Sequence, residues 1–275
     1  MQLSELIDTY GLHRNLAQNS LYQMDRSGRL FEEFLNRHAT TADLEPAAVS
    51  AWVRWMQAGE WAAATVAGHR ARLLILWRWA YGRGWAGPLG EVRAARRPEP
   101  MPEAWTLDEV RLLLGATDQV AVSVRGRWMP TYLRALVLAA YESGLRRGDL
   151  WSLDRESIYP DGTIQLRQHK TGHVHVPRLS DGTARLVLAE PGRFPLAWPA
   201  NPREFYTVWG RVLAIAGVRP GALHRLRKTG ATYIAVSDGL DAAREFLGHR
   251  TPEMVFHYVD RRIASPRQRL PPRIA

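Results

Sequence analysis

Five short stretches in the second half of the chain gather the side chains that cutting a phosphodiester without a metal would need. They are GLRRGDL (Gly144 to Leu150), HKTG (His169 to Gly172), HRLR (His224 to Arg227), LGH (Leu247 to His249) and the single Tyr258. A phosphorus passing through a pentacoordinate state carries negative charge on its non-bridging oxygens, so preorganised cations must meet it. The planar forks of Arg146 and Arg227 can do so with paired hydrogen bonds. A nucleophile must attack, and Tyr258 is the candidate. Phenol has an ordinary pKa of about 10, so its attack needs neighbouring cations and a proton acceptor. His224 is the best candidate acceptor, because it stands at i to the i+3 of Arg227 on one helical face. Lys170, beside a Thr-Gly turn at a hairpin tip, is the candidate acid for the departing 5′ oxygen. His249, entering after Leu-Gly, is suited to hydrogen-bond a phosphoryl oxygen. The order and spacing of the stretches carry the inference, not any one of them.

The elements that must hold these residues can be read from periodicity. The clearest boundary is the proline-punctuated stretch from Arg96 to Glu103, where Pro98, Pro100 and Pro102 cannot continue a helix. It divides a helical domain at 1–97 from a second domain at 105–275, with 98–104 as the linker. In the first domain, Val49, Trp52, Val53 and Met56 recur at helical spacing, and Pro46 suits a first turn. A longer helix is expected from Thr65 to Tyr81, burying Val66, Leu73, Leu76 or Trp77, and Ala80. Its other face carries Arg70, Arg72 and Arg78, a row that can lie along DNA phosphates or be a plain solvated face.

Past the linker, Thr106 and Glu109 form a capping box. A largely apolar helix from Tyr132 to Glu142 is expected at the centre of the domain, and Gly144 lets the chain turn after it. Between Ser157 and Leu179 the pattern changes to strands. Ser157 to Tyr159, Thr163 to Gln168 and Val174 to Pro177 predict a small three-stranded antiparallel sheet. Helices return at Phe205 to Ile215 and Leu223 to Ser237, then Leu240 to Leu247 and Thr251 to Tyr258. The fold class is therefore mainly α, with an α+β second domain.

Composition narrows the partner. The chain of 275 residues carries a net charge of +10, with a pI near 10.4, which points to a polyanion such as nucleic acid. Arg147, His169 and Arg225 join the helix arginines as candidate DNA contacts. There is no cysteine, which excludes disulfides, thiolate catalysis and cysteine-bound zinc. The N-terminus lacks the layout of a signal peptide, and the apolar run near Leu73 to Ala80 is broken by Arg78. A soluble, cytoplasmic, nucleoid-associated protein is expected, with no membrane partner. No Gly-x-x-x-x-Gly-Lys loop supports an ATP-driven function.

The ordered motifs resemble the tyrosine recombinase (phage integrase) family, whose signature is Arg, Lys, His-x-x-Arg, His or Trp, and Tyr. GLRRGDL matches its first arginine box, in which Asp149 would help hold the box in place. HRLRKTGATYIA resembles the second box and LGHRTPEMVFHYVD the third, with His249 and Tyr258 nine residues apart. The likeness covers nearly all of Thr106 to Asp260. The first domain is similar to the family's core-binding (SAM-like) domain in length and helical character.

The resemblance implies a catalytic set of Arg146, Lys170, His224, Arg227, His249 and Tyr258, with no metal and no cofactor. It implies a 3′-phosphotyrosyl intermediate and strand exchange through a Holliday junction. The partners it implies are a DNA site with inverted repeats, a homotetramer on paired sites, and an accessory protein or second recombinase. Lys228 and Asp260 depart from residues common in the family, both outside the catalytic set. With no arm-binding domain in view, an Xer-like size and simple sites are expected. Ile263, Leu270 and Ile274 are possible anchors for a tail docking on a neighbour.

Two other functions remain open on sequence: a type IB topoisomerase-like DNA-relaxing enzyme, and a catalytically silent DNA-binding relative. His169, His173 and His175 also raise a metal reading. With no partner carboxylate in the hairpin and no cysteine, they are read instead as solvent- or phosphate-facing. Tyr141 and Tyr233 lie in apolar helices and are read as core. The 11 tryptophans are read as packing rather than base-stacking platforms.

Overall fold

A computed structural model of the chain describes residues 1–93, 101–169 and 171–264. Lys170, residues 96–100 of the proline linker and the tail anchors Leu270 and Ile274 lie outside the described residues. The chain divides into two compact units, Met1–Pro100 and Met101–Ala275.

Unit 1 is built on four α-helices: α1 (Leu3–His13), α2 (Gln18–Leu35), α3 (Pro46–Ala58) and α4 (Ala63–Tyr81). Pro46 opens α3 in its first turn, where its missing N–H leaves no bond unmade. Val49, Trp52, Val53 and Met56 form the buried stripe of that helix. In α4, Leu76 and Trp77 are both buried, along with Val66, Leu73 and Ala80. His69 is buried there too, paired with Ser27 Oγ through Nδ1 at 2.9 Å.

Unit 2 is built around α6 (Met129–Ser143), which is buried on nearly every side. α5 (Leu107–Gln119) precedes it, opened by the Thr106–Glu109 capping box in both directions. Next comes α7 (Arg147–Trp151), then α8 (Asp181–Ala189) and α9 (Pro202–Ala216). α10 (His224–Leu247) contains one non-helical residue, Gly239 at φ 90°, so its two halves are the two helices expected from sequence. The segment Pro252–His257 is a 3₁₀ helix, and the short α11 (Arg261–Ala264) follows. No described helix is long and apolar enough to cross a membrane.

The expected three-stranded sheet is not formed among the described residues. Two separate antiparallel pairs occur instead: β1 (Ser123–Val124) with β2 (Arg127–Trp128), and β3 (Leu166–Arg167) with β4 (Val174–His175). The segment 157–159 joins only through a single bridge, Ile158 to Ile164, and Thr163 meets Arg178 through another. Prolines explain the interruption. Pro160 ends the first segment and Pro177 removes a donor from the third, so neither ladder extends. The β1–β2 hairpin was not anticipated from the sequence. Its signal is Arg125-Gly126, both at positive φ, the backbone that a two-residue hairpin turn demands.

Several tryptophans also depart from the packing expectation. Trp52, Trp77 and Trp105 are wholly buried, but Trp55, Trp85 and Trp128 stand well exposed.

Candidate active site

α6 ends at Gly144, whose φ of 60° is a left-handed cap. A Cβ there would sit 2.5 Å from the Phe246 ring, so both conformation and space demand glycine. The turn delivers Arg146 to the N-cap of α7. His224 and Arg227 occupy the first turn of α10, and Gly248, also at φ 60°, closes its far end just before His249. The 3₁₀ turn then brings Tyr258 back over the same place.

Around the Tyr258 ring lie three of the expected partners. The His249 ring centre is 4.7 Å away, the His224 ring 5.4 Å, and the Arg227 guanidinium carbon 5.1 Å. Arg227 is 1% exposed. It donates through Nη1 to the Gly144 carbonyl, and through Nη2 to the Leu247 carbonyl at 2.8 Å and to His249 Nε2 at 3.2 Å. Burial pushes the Arg227 guanidinium down to about 10, with the Arg146 charge adding to the effect and Tyr258 opposing it. It remains a cation at neutral pH. Burial, then the charges of Arg227 and Arg146, push His249 down to about 4. Its imidazole is therefore neutral near pH 7.

That neutrality fixes a tautomer. A guanidinium only donates, so His249 Nε2 must accept from Arg227 and the ring proton sits on Nδ1. Neither His249 Nδ1 nor Arg227 Nε finds an acceptor among the described residues.

Asp149 is buried beneath this group. Its Oδ1 accepts from the His169 backbone N–H at 2.7 Å, and its Oδ2 lies 3.9 Å from Arg146 Nη1. The carboxylate thus ties the first arginine box to the hairpin. Asp260, two residues past Tyr258, anchors the tyrosine segment. Its Oδ2 accepts from Ala104 N at 3.0 Å, its own N–H donates to Thr232 Oγ1 at 2.9 Å, and Arg262 caps it. Burial pushes the Asp260 carboxyl up, but the Arg262 and Ala104 hydrogen bonds outweigh it and hold the group below the usual range.

Arg146, Asp149, His224, Arg227, His249 and Tyr258 are thus brought together within unit 2. His169 is exposed at the edge of this group. Arg147 stacks over Trp151 at 4.5 Å and bonds the Tyr206 hydroxyl. Arg225 turns to Glu103 at 2.8 Å and lies over Trp105. In unit 1, Arg70 donates to the Arg93 and Val92 carbonyls at 2.7 and 3.0 Å, Arg72 is half-buried and Arg78 is exposed.

The structure corrects the expectation for His175. Rather than facing solvent, it is 8% exposed and packs against the Gly248 turn, where an added Cβ would lie 2.8 Å from its Nδ1. Burial, reinforced by Arg227, lowers its pKa. Gln168 was missed altogether. It is buried, and its Oε1 accepts from Arg146 Nη1 at 2.8 Å. The signal for both was strand alternation. Ile164, Leu166 and Gln168 share one face, as do His175, Pro177 and Leu179.

No protein-family model matches the chain. It is 27% identical to the tyrosine recombinase XerC of Vibrio vulnificus over 183 residues, 60% of this chain and 55% of that protein. The chain thus spans about half the length of the curated relatives it matches. Among solved structures, lambda integrase (residues 75–356), a dimer bound to a core site, superposes with a TM-score of 0.75 at 20% identity, covering 100% of this chain and 99% of that one. The Tn1549 transposon integrase, in complex with circular intermediate DNA, gives 0.67 at 15% identity, with 94% and 95% covered. These likenesses define the class by fold: a helix-rich integrase fold with small antiparallel hairpins. Taken with the XerC relatives, they make the chain similar to tyrosine recombinases in sequence and in fold.

Proposed function

We propose that this protein is a site-specific DNA recombinase that cuts and rejoins strands through a 3′-phosphotyrosyl bond to Tyr258. The observation that carries the reading is the convergence of His249, His224 and Arg227 on one phenol ring, at 4.7, 5.4 and 5.1 Å. Attack by a phenol needs a cation and a proton acceptor beside it, and Arg227 and His224 are side chains of those two types. Buried donors normally find an acceptor, so Arg227 Nε and His249 Nδ1 are suited to an oxygen supplied from outside the protein.

In this scheme Tyr258 Oη attacks phosphorus as its proton passes to His224. Arg146 and Arg227 meet the non-bridging oxygens, and neutral His249 donates to one of them. The 5′ oxygen departs with a proton, for which the family resemblance assigns Lys170 as donor. A 5′ hydroxyl of a partner strand then displaces Tyr258. One phosphate ester replaces another at each step, so the balance needs neither ATP nor metal. A homotetramer exchanging strands through a Holliday junction at inverted repeats fits this chemistry, and lambda integrase has been seen as a tetramer on such a junction. Unit 1 would add DNA contacts as a core-binding domain, with Arg72 and Arg78 on α4 as its candidates.

The test is covalent capture. Random-sequence duplexes, each with a nick, trap a cleaving enzyme because the freed strand end diffuses away. Wild type is expected to yield a denaturation-resistant protein–DNA adduct and Tyr258→Phe none. Equal yields from both proteins would reject the nucleophile. Sequencing the captured DNA identifies the site.

A further inference from the structure

The two arginines of the site are joined by hydrogen bonds that run through a single neutral side chain. Arg146 Nη1 donates to Gln168 Oε1 at 2.8 Å, and Gln168 Nε2 donates to the Leu247 carbonyl at 3.4 Å. That carbonyl also accepts from Arg227 Nη2 at 2.8 Å. Gln168 Oε1 takes a second hydrogen bond, from Thr171 Oγ1 at 2.9 Å, and the Gln168 carbonyl accepts from Gly172 N at 2.8 Å. The residue is 1% exposed, so these contacts do not compete with water.

The chemistry of the ends makes glutamine specific. A guanidinium can only donate and a carbonyl can only accept, so one amide orientation alone satisfies both. A carboxylate would satisfy Arg146 but offer nothing to Leu247. A methionine would fill the space and satisfy neither. Meanwhile the two guanidiniums repel each other, as the effect of the Arg146 charge on Arg227 shows. Like charges placed together need a fixed tether to keep a working spacing.

We propose that Gln168 is a positioning residue, holding Arg146 in register with Arg227 and the Leu247–His249 turn so that both guanidiniums meet one phosphoryl group. This rests on the recombinase function proposed above. Gln168 Oε1 is shared with Thr171 Oγ1, so one oxygen holds both Arg146 and Thr171. The Gly248 turn is packed to the same end: a Cβ there would lie 2.7 Å from Gln168 Nε2.

The experiment uses the full chain and the DNA captured above, in single turnover. Gln168→Met is expected to lower the adduct-forming rate at saturating DNA by about ten- to a hundredfold, the loss of a hydrogen bond to a charged group. The half-saturating DNA concentration should move by less than about threefold, since uniform binding is untouched. Gln168→Glu keeps the acceptor but loses the donor and draws Arg146 into an ion pair, so about a tenfold loss is expected there as well. In an Arg146→Lys background, a point charge with rotatable donors no longer depends on the amide for alignment. The Gln168→Met loss should then shrink to less than about threefold. An equal fold-loss in both backgrounds, or a wild-type rate in Gln168→Glu, overturns the proposal. The glutamate variant is nearly isosteric and decides the question even where the methionine variant fails to fold. A wild-type protein that forms no adduct on any DNA would instead remove the recombinase function itself.

Discussion

The two units bury different kinds of side chain. Unit 1 closes on carbon: Phe31, Trp52, Met56, Leu73 and Trp77 have no measurable exposure, and the buried polar pair Ser27–His69 satisfies itself. Unit 2 has a carbon core of the same quality around α6, yet it also buries Asp149, Gln168, His175, Arg227 and His249 side by side. Burying ionisable groups works against stability unless each finds a partner. The fold supplies those partners unevenly. Carbonyls at two helix ends, Gly144 and Leu247, take up Arg227, while several donors are left over. The difference marks where buried ionisable groups gather without a full set of partners.

The sharpest way to break that contrast is to change the most deeply buried cation. Arg227→Lys keeps a positive charge but cannot serve the Gly144 and Leu247 carbonyls and His249 together. Cleavage should fall by about three orders of magnitude, the scale seen when a preorganised donor to a developing oxyanion is lost. DNA affinity, carried by many phosphate contacts, should change far less. Filter-binding alongside covalent capture separates the two effects. A variant that cleaves as fast as wild type would show that Arg227 is a structural cation only.

A carbon-core change in unit 1 should do the reverse. Trp52 is fully buried, donates Nε1 to the Leu30 carbonyl at 3.2 Å, and meets Phe31 edge-on at 5.4 Å. Trp52→Ala should destabilise unit 1 by about 3–5 kcal/mol. Hydrogen exchange is the measurement: amides of α2 and α3 should lose protection while the core amides of α6 keep theirs. Equal loss in α6 would mean that the two units unfold together.

What the sequence made legible follows the same division. The carbon stripes of α3, α4 and α6 obey a helical period, so their buried faces could be read residue by residue. His224, Arg227, His249 and Tyr258 were legible because they sit within one stretch of chain whose internal spacing is short. Gln168 and His175 were not. Each reaches the site from a strand whose pairing spans only two residues, and each is a polar residue that alternation placed inside without saying against what. The three-stranded sheet failed for a local reason, because proline at 160 and 177 cut the ladders that turn signals alone had suggested. Asp260 was read as a departure from the family, and its role as the anchor of the tyrosine segment depends on Ala104, far away in sequence.

The smallest expected effect concerns pH and separates the two units once more. His249 has an ordinary value of 6.5 and is pushed down to about 4 by burial and by Arg227, and His175 is lowered for the same leading reason. Between those limits the unfolded chain takes up a proton that the folded chain refuses, so the unfolded state gains. Stability conferred by the neutral ring is fully present above about pH 6.5, falls as pH drops toward 4, and levels off below it. His249→Gln removes the titration while keeping a polar side chain in the turn. Its thermal midpoint should start at or below the wild-type value at pH 7.5 and decline less steeply between pH 6.5 and 4. His69 in unit 1 is lowered by burial as well, so part of the wild-type slope should survive in the variant and shrink further with His69→Gln, leaving the share of His175. Identical slopes in wild type and His249→Gln would show that the ring takes up its proton as readily in the fold as in the unfolded chain, and so that Arg227 does not hold Nε2 as an acceptor. The hydrogen bond from Arg227 to a neutral Nε2, and with it the donor role of Nδ1, would then fall.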